Sequence, residues 1–94
     1  MRVASELRRR LEAGLAPERV EVEDESAAHA GHAGARPGGE THFRVVVVSA
    51  AFAGRGRVER QRMVYAAAGD LLRPDGIHAL SVAALAPGEP EPGR

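Results

Sequence analysis

The chain has 94 residues, with thirteen basic and thirteen acidic side chains, four His, no Cys and three aromatic residues, Phe43, Phe52 and Tyr65. That length makes one domain with a modest core, and the lack of Cys excludes a disulfide framework. No run approaches the roughly 18 apolar residues needed to span a bilayer, and the charged N-terminus is unlike a signal peptide, so the expectation is a soluble cytoplasmic protein with no membrane association.

Ser5 to Gly14 reads as a helix, with Val3, Leu7 and Leu11 recurring on one face; Gly14 is a natural stop and Pro17 prevents continuation. Arg19 to Glu23 alternates as a short strand with one wet face. Asp24 to Thr41, rich in Gly, Ala, His and Pro, is a long loop, and long loops in compact domains are usually functional or disordered. His42 to Ala51 is the strongest strand: Val45-Val46-Val47-Val48 implies burial on both faces and a central place in a sheet. A turn over Phe52–Gly56 leads to an amphipathic helix from Val58 to Leu72, which ends at Pro74-Asp75-Gly76. Ile77 to Leu85 is a final strand. The domain is expected to span residues 1–86, and the Pro/Gly-rich residues 87–94 to form a disordered tail. The order α-β-β-α-β, with a crossover through the second helix, predicts an α+β fold: a three-stranded mixed sheet with both helices on one face.

Charge is placed unevenly. All the basic residues are Arg, and residues 43–74 hold six Arg against two acids, a local charge of +4 in a chain that is neutral overall. The ordinary fate of such charges is a solvated helix face; contact with a partner or with nucleic acid through Arg57, Arg60 and Arg62 is the functional alternative. No aromatic platform for base stacking accompanies them. No Ser-His-Asp order with a nucleophile turn and no phosphate-binding glycine loop is present, so the chain reads as a non-enzyme without catalytic residues.

Histidine carries the remaining chemistry. With no Cys, the imidazoles are the only side chains able to hold a soft or borderline metal. His29, His32 and His42 lie in or beside the long loop, and His78 stands alone at the start of the last apolar run. A loop presenting imidazoles toward a distant fixed one makes half of a metal site.

Specific residues add a family resemblance. Asp24-Glu25-Ser26 followed by His29, then Gly38-Gly39-Glu40-Thr41-His42-Phe43-Arg44-Val45, Val47-Val48-Ser49, Phe52-Ala53-Gly54, Arg60-Gln61-Arg62-Met63-Val64-Tyr65 and Ile77-His78-Ala79-Leu80 form an ordered series that resembles the BolA-like family. The resemblance covers about residues 3–85 and implies a fold similar to the class II KH fold. It also implies a heterodimer with a monothiol glutaredoxin. The pair would share a [2Fe-2S] cluster, held on the far side by the glutaredoxin Cys and a glutathione thiolate. By motif, the family's His near the start of the last strand corresponds to His78. Its loop ligand corresponds best to His29, with His32 and His42 as alternatives. Without its partner the protein is expected to be a monomer or weak homodimer and to hold no stable cluster. Some members are described as DNA-binding transcriptional regulators, which makes DNA the alternative partner. Two departures stand out: Gln61 occupies a position where many members have His, and the chain ends in a Pro/Gly tail where many have an amphipathic helix.

Overall fold

The computed structural model describes residues 2–25, 42–73 and 76–91. Its elements are helix α1 (Arg2–Leu15), strand β1 (Arg19–Asp24), strand β2 (His42–Val48), helix α2 (Arg57–Ala68) and strand β3 (Ala79–Leu85), with 3-10 turns at Ala50–Phe52 and Gly69–Leu71. The expected α-β-β-α-β order and the mixed sheet are both present. The strands lie in the order β1-β2-β3, with β1 antiparallel and β3 parallel to the central β2.

One side of the sheet meets both helices. Leu7, Leu11 and Leu15, four residues apart, lay one stripe of α1 onto Phe43, Val45 and Val47 of β2, and Val64 and Ala68 of α2 join the same core. The helix begins three residues before the sequence suggests because Val3 and Ala4 also pack there. Gly14 does not stop it. The glycine lies inside α1, where a methyl group would sit 3.2 Å from Ala67 Cβ, so its bareness lets the two helices approach closely. The stop comes at Ala16, with φ of 46°, directly before Pro17.

Polar ties run within α1 and from it to the end of α2. The Glu6 carboxylate accepts from Arg9 and Arg10, and these hydrogen bonds hold its pKa down to about 2. Arg10 reaches on to the Ala68 carbonyl and to Asp70 beyond α2. Gly69, at φ of 59°, ends α2, several residues short of the expected Leu72.

β2 is the middle of the structure, as its valine run predicts. Val45 and Val47 are buried toward the helices, while Val46 and Val48 are buried on the other face with Ala83 and Leu85. The strand ends at Val48, three residues early, because Ser49 turns the chain. Its hydroxyl donates to the Leu15 carbonyl at 2.6 Å and accepts from Ala51 N–H at 3.1 Å. The short turn that follows buries Phe52 completely, so this residue belongs to the core as well as to a turn.

The residues after β3 form a turn. Ala86 N–H donates to the Glu89 carboxylate, which also takes a bidentate bond from Arg60 at 2.6 and 3.1 Å. Glu91 pairs with Arg19 at 2.7 Å and lies 3.9 Å from Arg44. Of the segment expected to be a disordered tail, residues 87–91 are thus anchored to β1, β2 and α2, and 92–94 lie outside the described residues.

Two outcomes follow from these ties. Ser49→Ala strips a buried donor from the Leu15 carbonyl and is expected to cost about 1–3 kcal/mol of stability in urea unfolding. The Glu89 carboxyl is held down to about 2, from an ordinary 4.5, first by Arg60 and then by the Ala86 N–H. A depressed carboxyl stabilises the folded form above its unfolded pKa, and the contribution fades as pH falls from about 4.5 toward 2. The Glu89 carboxyl carbon should therefore titrate near pH 2 by NMR; a midpoint near 4.5 would show that the turn does not hold Arg60.

Candidate functional site

The parallel pairing brings two of the four histidines together. His42 opens β2 and stands in register with Ala79, so His78 sits one residue before β3 on the adjoining strand. The two rings are 6.0 Å apart between centroids, inclined by 66°. His78 is exposed and His42 half-buried. Directly before His78, Ile77 is buried, and its N–H donates to the Leu71 carbonyl at 2.8 Å. This anchors the backbone that carries the imidazole.

An open cavity of about 740 Å³ borders His78, lined also by Tyr65, Leu72, Arg73 and Leu80. Its wall is more apolar than polar in character, and the imidazole at its rim is the group able to bind a metal. Glu25 N–H donates to the His42 carbonyl at 2.7 Å. Glu25 and His42, the described residues on either side of positions 26–41, are therefore joined to each other beside the His42–His78 pair. His29 and His32 lie outside the described residues. Among the described residues, no group of three or more His, Asp or Glu side chains is placed to hold a metal ion. Two imidazoles can supply part of a coordination sphere, with the remainder coming from outside.

The sequence-predicted arginines separate into different places. Arg57 and Arg60 line a second open cavity, of about 580 Å³, together with Arg44 and Arg55, along residues 81–85 of β3. Arg62 is exposed on α2 and does not line it. Arg60 is committed internally: its Nε donates to the Arg55 carbonyl, and its Nη atoms to the Ala84 carbonyl and Glu89. Hydrogen bonding to Glu89 raises its pKa. Arg57, by contrast, has no hydrogen bond or ion pair among the described residues. The sequence reading missed Arg44, which reaches this groove from β2. It also missed Tyr65 as a site residue: the hydroxyl donates to the Leu80 carbonyl at 3.3 Å and accepts from Gln61 Nε2. The pairing of β2 with β3 places Arg44 beside Ser81, and no local pattern announces that.

This architecture and the arrangement of its motifs agree with what is known of related chains. The family model for BolA-like protein matches residues 11–89. A Sinorhizobium protein described as an uncharacterized protein in the cobS 5' region is 46% identical over 97 residues, covering 96% of this chain and 97% of that one. Protein BOLA1, chloroplastic, from Arabidopsis thaliana is 44% identical over 91 residues, covering 92% of this chain but 54% of its own length. The solved BolA domain of SufE1 from Arabidopsis thaliana superposes with a TM-score of 0.80 at 44% identity, covering 93% of this chain and 94% of that one. The chain belongs to the BolA-like protein family. Among the described residues, no helix is long and apolar enough to cross a membrane.

Proposed function

We propose that this BolA-like chain is a non-enzymatic adaptor in iron–sulfur cluster assembly, trafficking or sensing, acting in a reducing compartment as the partner of a monothiol glutaredoxin. The observation that carries the reading is the exposed His78 imidazole, set on an anchored strand start beside His42 and an open cavity.

The donor set suits the cargo. Histidine can replace thiolate on one iron of a [2Fe-2S] centre and raises its reduction potential. A chain without Cys contributes no thiolate, so the glutaredoxin Cys and a glutathione thiolate supply the sulfur. His78 is the first ligand. For the second, family resemblance favours His29 and the observed ring juxtaposition favours His42. In sequence, His29 stands four and His32 seven positions after Glu25, whose N–H is bonded to the His42 carbonyl. Imidazole must be neutral to bind iron, which makes the affinity fall at acid pH. The two described imidazoles supply only part of a coordination sphere, and this favours assembly with a partner over cluster binding by the chain alone.

Anaerobic reconstitution with a monothiol glutaredoxin and glutathione, followed by visible circular dichroism, tests the proposal. The wild-type mixture should give a spectrum absent from either protein alone, and His78→Ala should abolish it. His29→Ala and His42→Ala identify the second ligand by which one weakens the signal, with His32→Ala as the comparison. A spectrum untouched by His78→Ala would overturn the reading.

A further inference from the structure

The groove along β3 is a separate feature from the His78 site. β3 is an edge strand. Leu85 turns its carbonyl inward to Ser49 N–H, while the carbonyls of Leu80 and Ala84 face outward and accept from Tyr65 and Arg60 of α2. Alternation along a strand then places the N–H and C=O of Val82 outward as well, between two residues that α2 already covers. An outward-facing pair on an edge strand is a template for another extended chain.

The surrounding charge states what that chain must carry. Arg44, Arg55, Arg57 and Arg60 line the groove. One carboxylate is already seated at its rim, since Glu89 receives a bidentate bond from Arg60. Arg57, farther along, has no carboxylate among the described residues. We propose that this groove docks an extended acidic segment of a partner protein, which lies along β3, bonds the Val82 backbone, places carboxylates on Arg57 and Arg44, and competes with the chain's own Glu89 for Arg60.

Charge spacing and the lining favour a peptide over nucleic acid. Glu59, Glu89 and Glu91 interleave with the arginines, so a phosphate backbone would meet carboxylates as well as guanidinium groups. No aromatic side chain lines the groove to stack a base. A peptide strand directs every second side chain to one face and can match carboxylates to chosen arginines, whose planar forks suit bidentate binding.

The test titrates the full chain with a fluorescein-labelled peptide of four Glu-Val repeats, read by anisotropy at about 0.15 M salt. A Lys-Val peptide of equal length and a single-stranded DNA 12-mer serve as the other arms. The Glu-Val peptide should bind, with the Val82 amide shifting in NMR spectra, and the Lys-Val peptide should not. Arg57→Glu should weaken binding about tenfold or more. That variant keeps the fold intact, because Arg57 is exposed and an acid at a helix N-terminus is favourable. Glu89→Gln should tighten binding by freeing Arg60. Binding unchanged by Arg57→Glu, unchanged by Glu89→Gln, or weaker than that of the DNA 12-mer would overturn the proposal.

Discussion

Everything in this molecule that bears on chemistry depends on the parallel pairing of β2 with β3. Sheet pairing converts a separation of 36 residues between His42 and His78 into neighbouring positions on adjacent strands. The same pairing places Arg44 beside Ser81 and so extends a surface of α2 arginines onto the sheet. Register is pinned by burial. Phe43, Val45 and Val47 match Leu80, Val82 and Ala84 on the helix side, and Val46 and Val48 match Ala83 and Leu85 on the other. A slip of one residue would exchange the two faces of β3. It would turn the exposed Ser81 position toward the core and move His78 out of line with His42.

The face away from the helices shows how a small chain manages a sheet with helices on one side. Four apolar residues there are nearly inaccessible, and long side chains from β1, β2 and α2 converge over that side on the carboxylates of Glu89 and Glu91. Exposed ion pairs contribute little individually. The side chains of Arg44 and Arg60, which take part in these pairs, are only 16% and 15% exposed.

Much of the fold was legible because its signals are local. The Leu7–Leu11 spacing announced α1, and the four consecutive valines announced a strand buried on both sides. The errors have physical causes that are not local. Gly14 looks like a terminator in sequence, but its role is set by Ala67, a residue on another helix. Ser49 looks like the continuation of a strand, but its hydroxyl is claimed by the end of α1. Residues 87–91 lack any apolar pattern, and what orders them is charge supplied by Arg19, Arg44 and Arg60. The site divides in the same way. His78 was marked by motif resemblance, whereas the nearness of His42 follows only from strand register. Arg57 and Arg60 were marked by composition, but their different situations, one without a partner among the described residues and the other fully engaged, follow from what α2 faces.

The two cavities share β3 yet are kept apart by a short polar chain. Gln61 borders the arginine groove and donates to the Tyr65 hydroxyl, which borders the His78 cavity and donates to the Leu80 carbonyl. Both bonds are 3.3 Å, at the long end for such contacts, and they occupy the edge of β3 at Leu80 only. The Gln61 amide offers the tyrosine hydroxyl a donor that does not change with pH. In this chain the boundary between the His78 cavity and the arginine groove is therefore drawn by an amide, a hydroxyl and a backbone carbonyl, with no charged group among them.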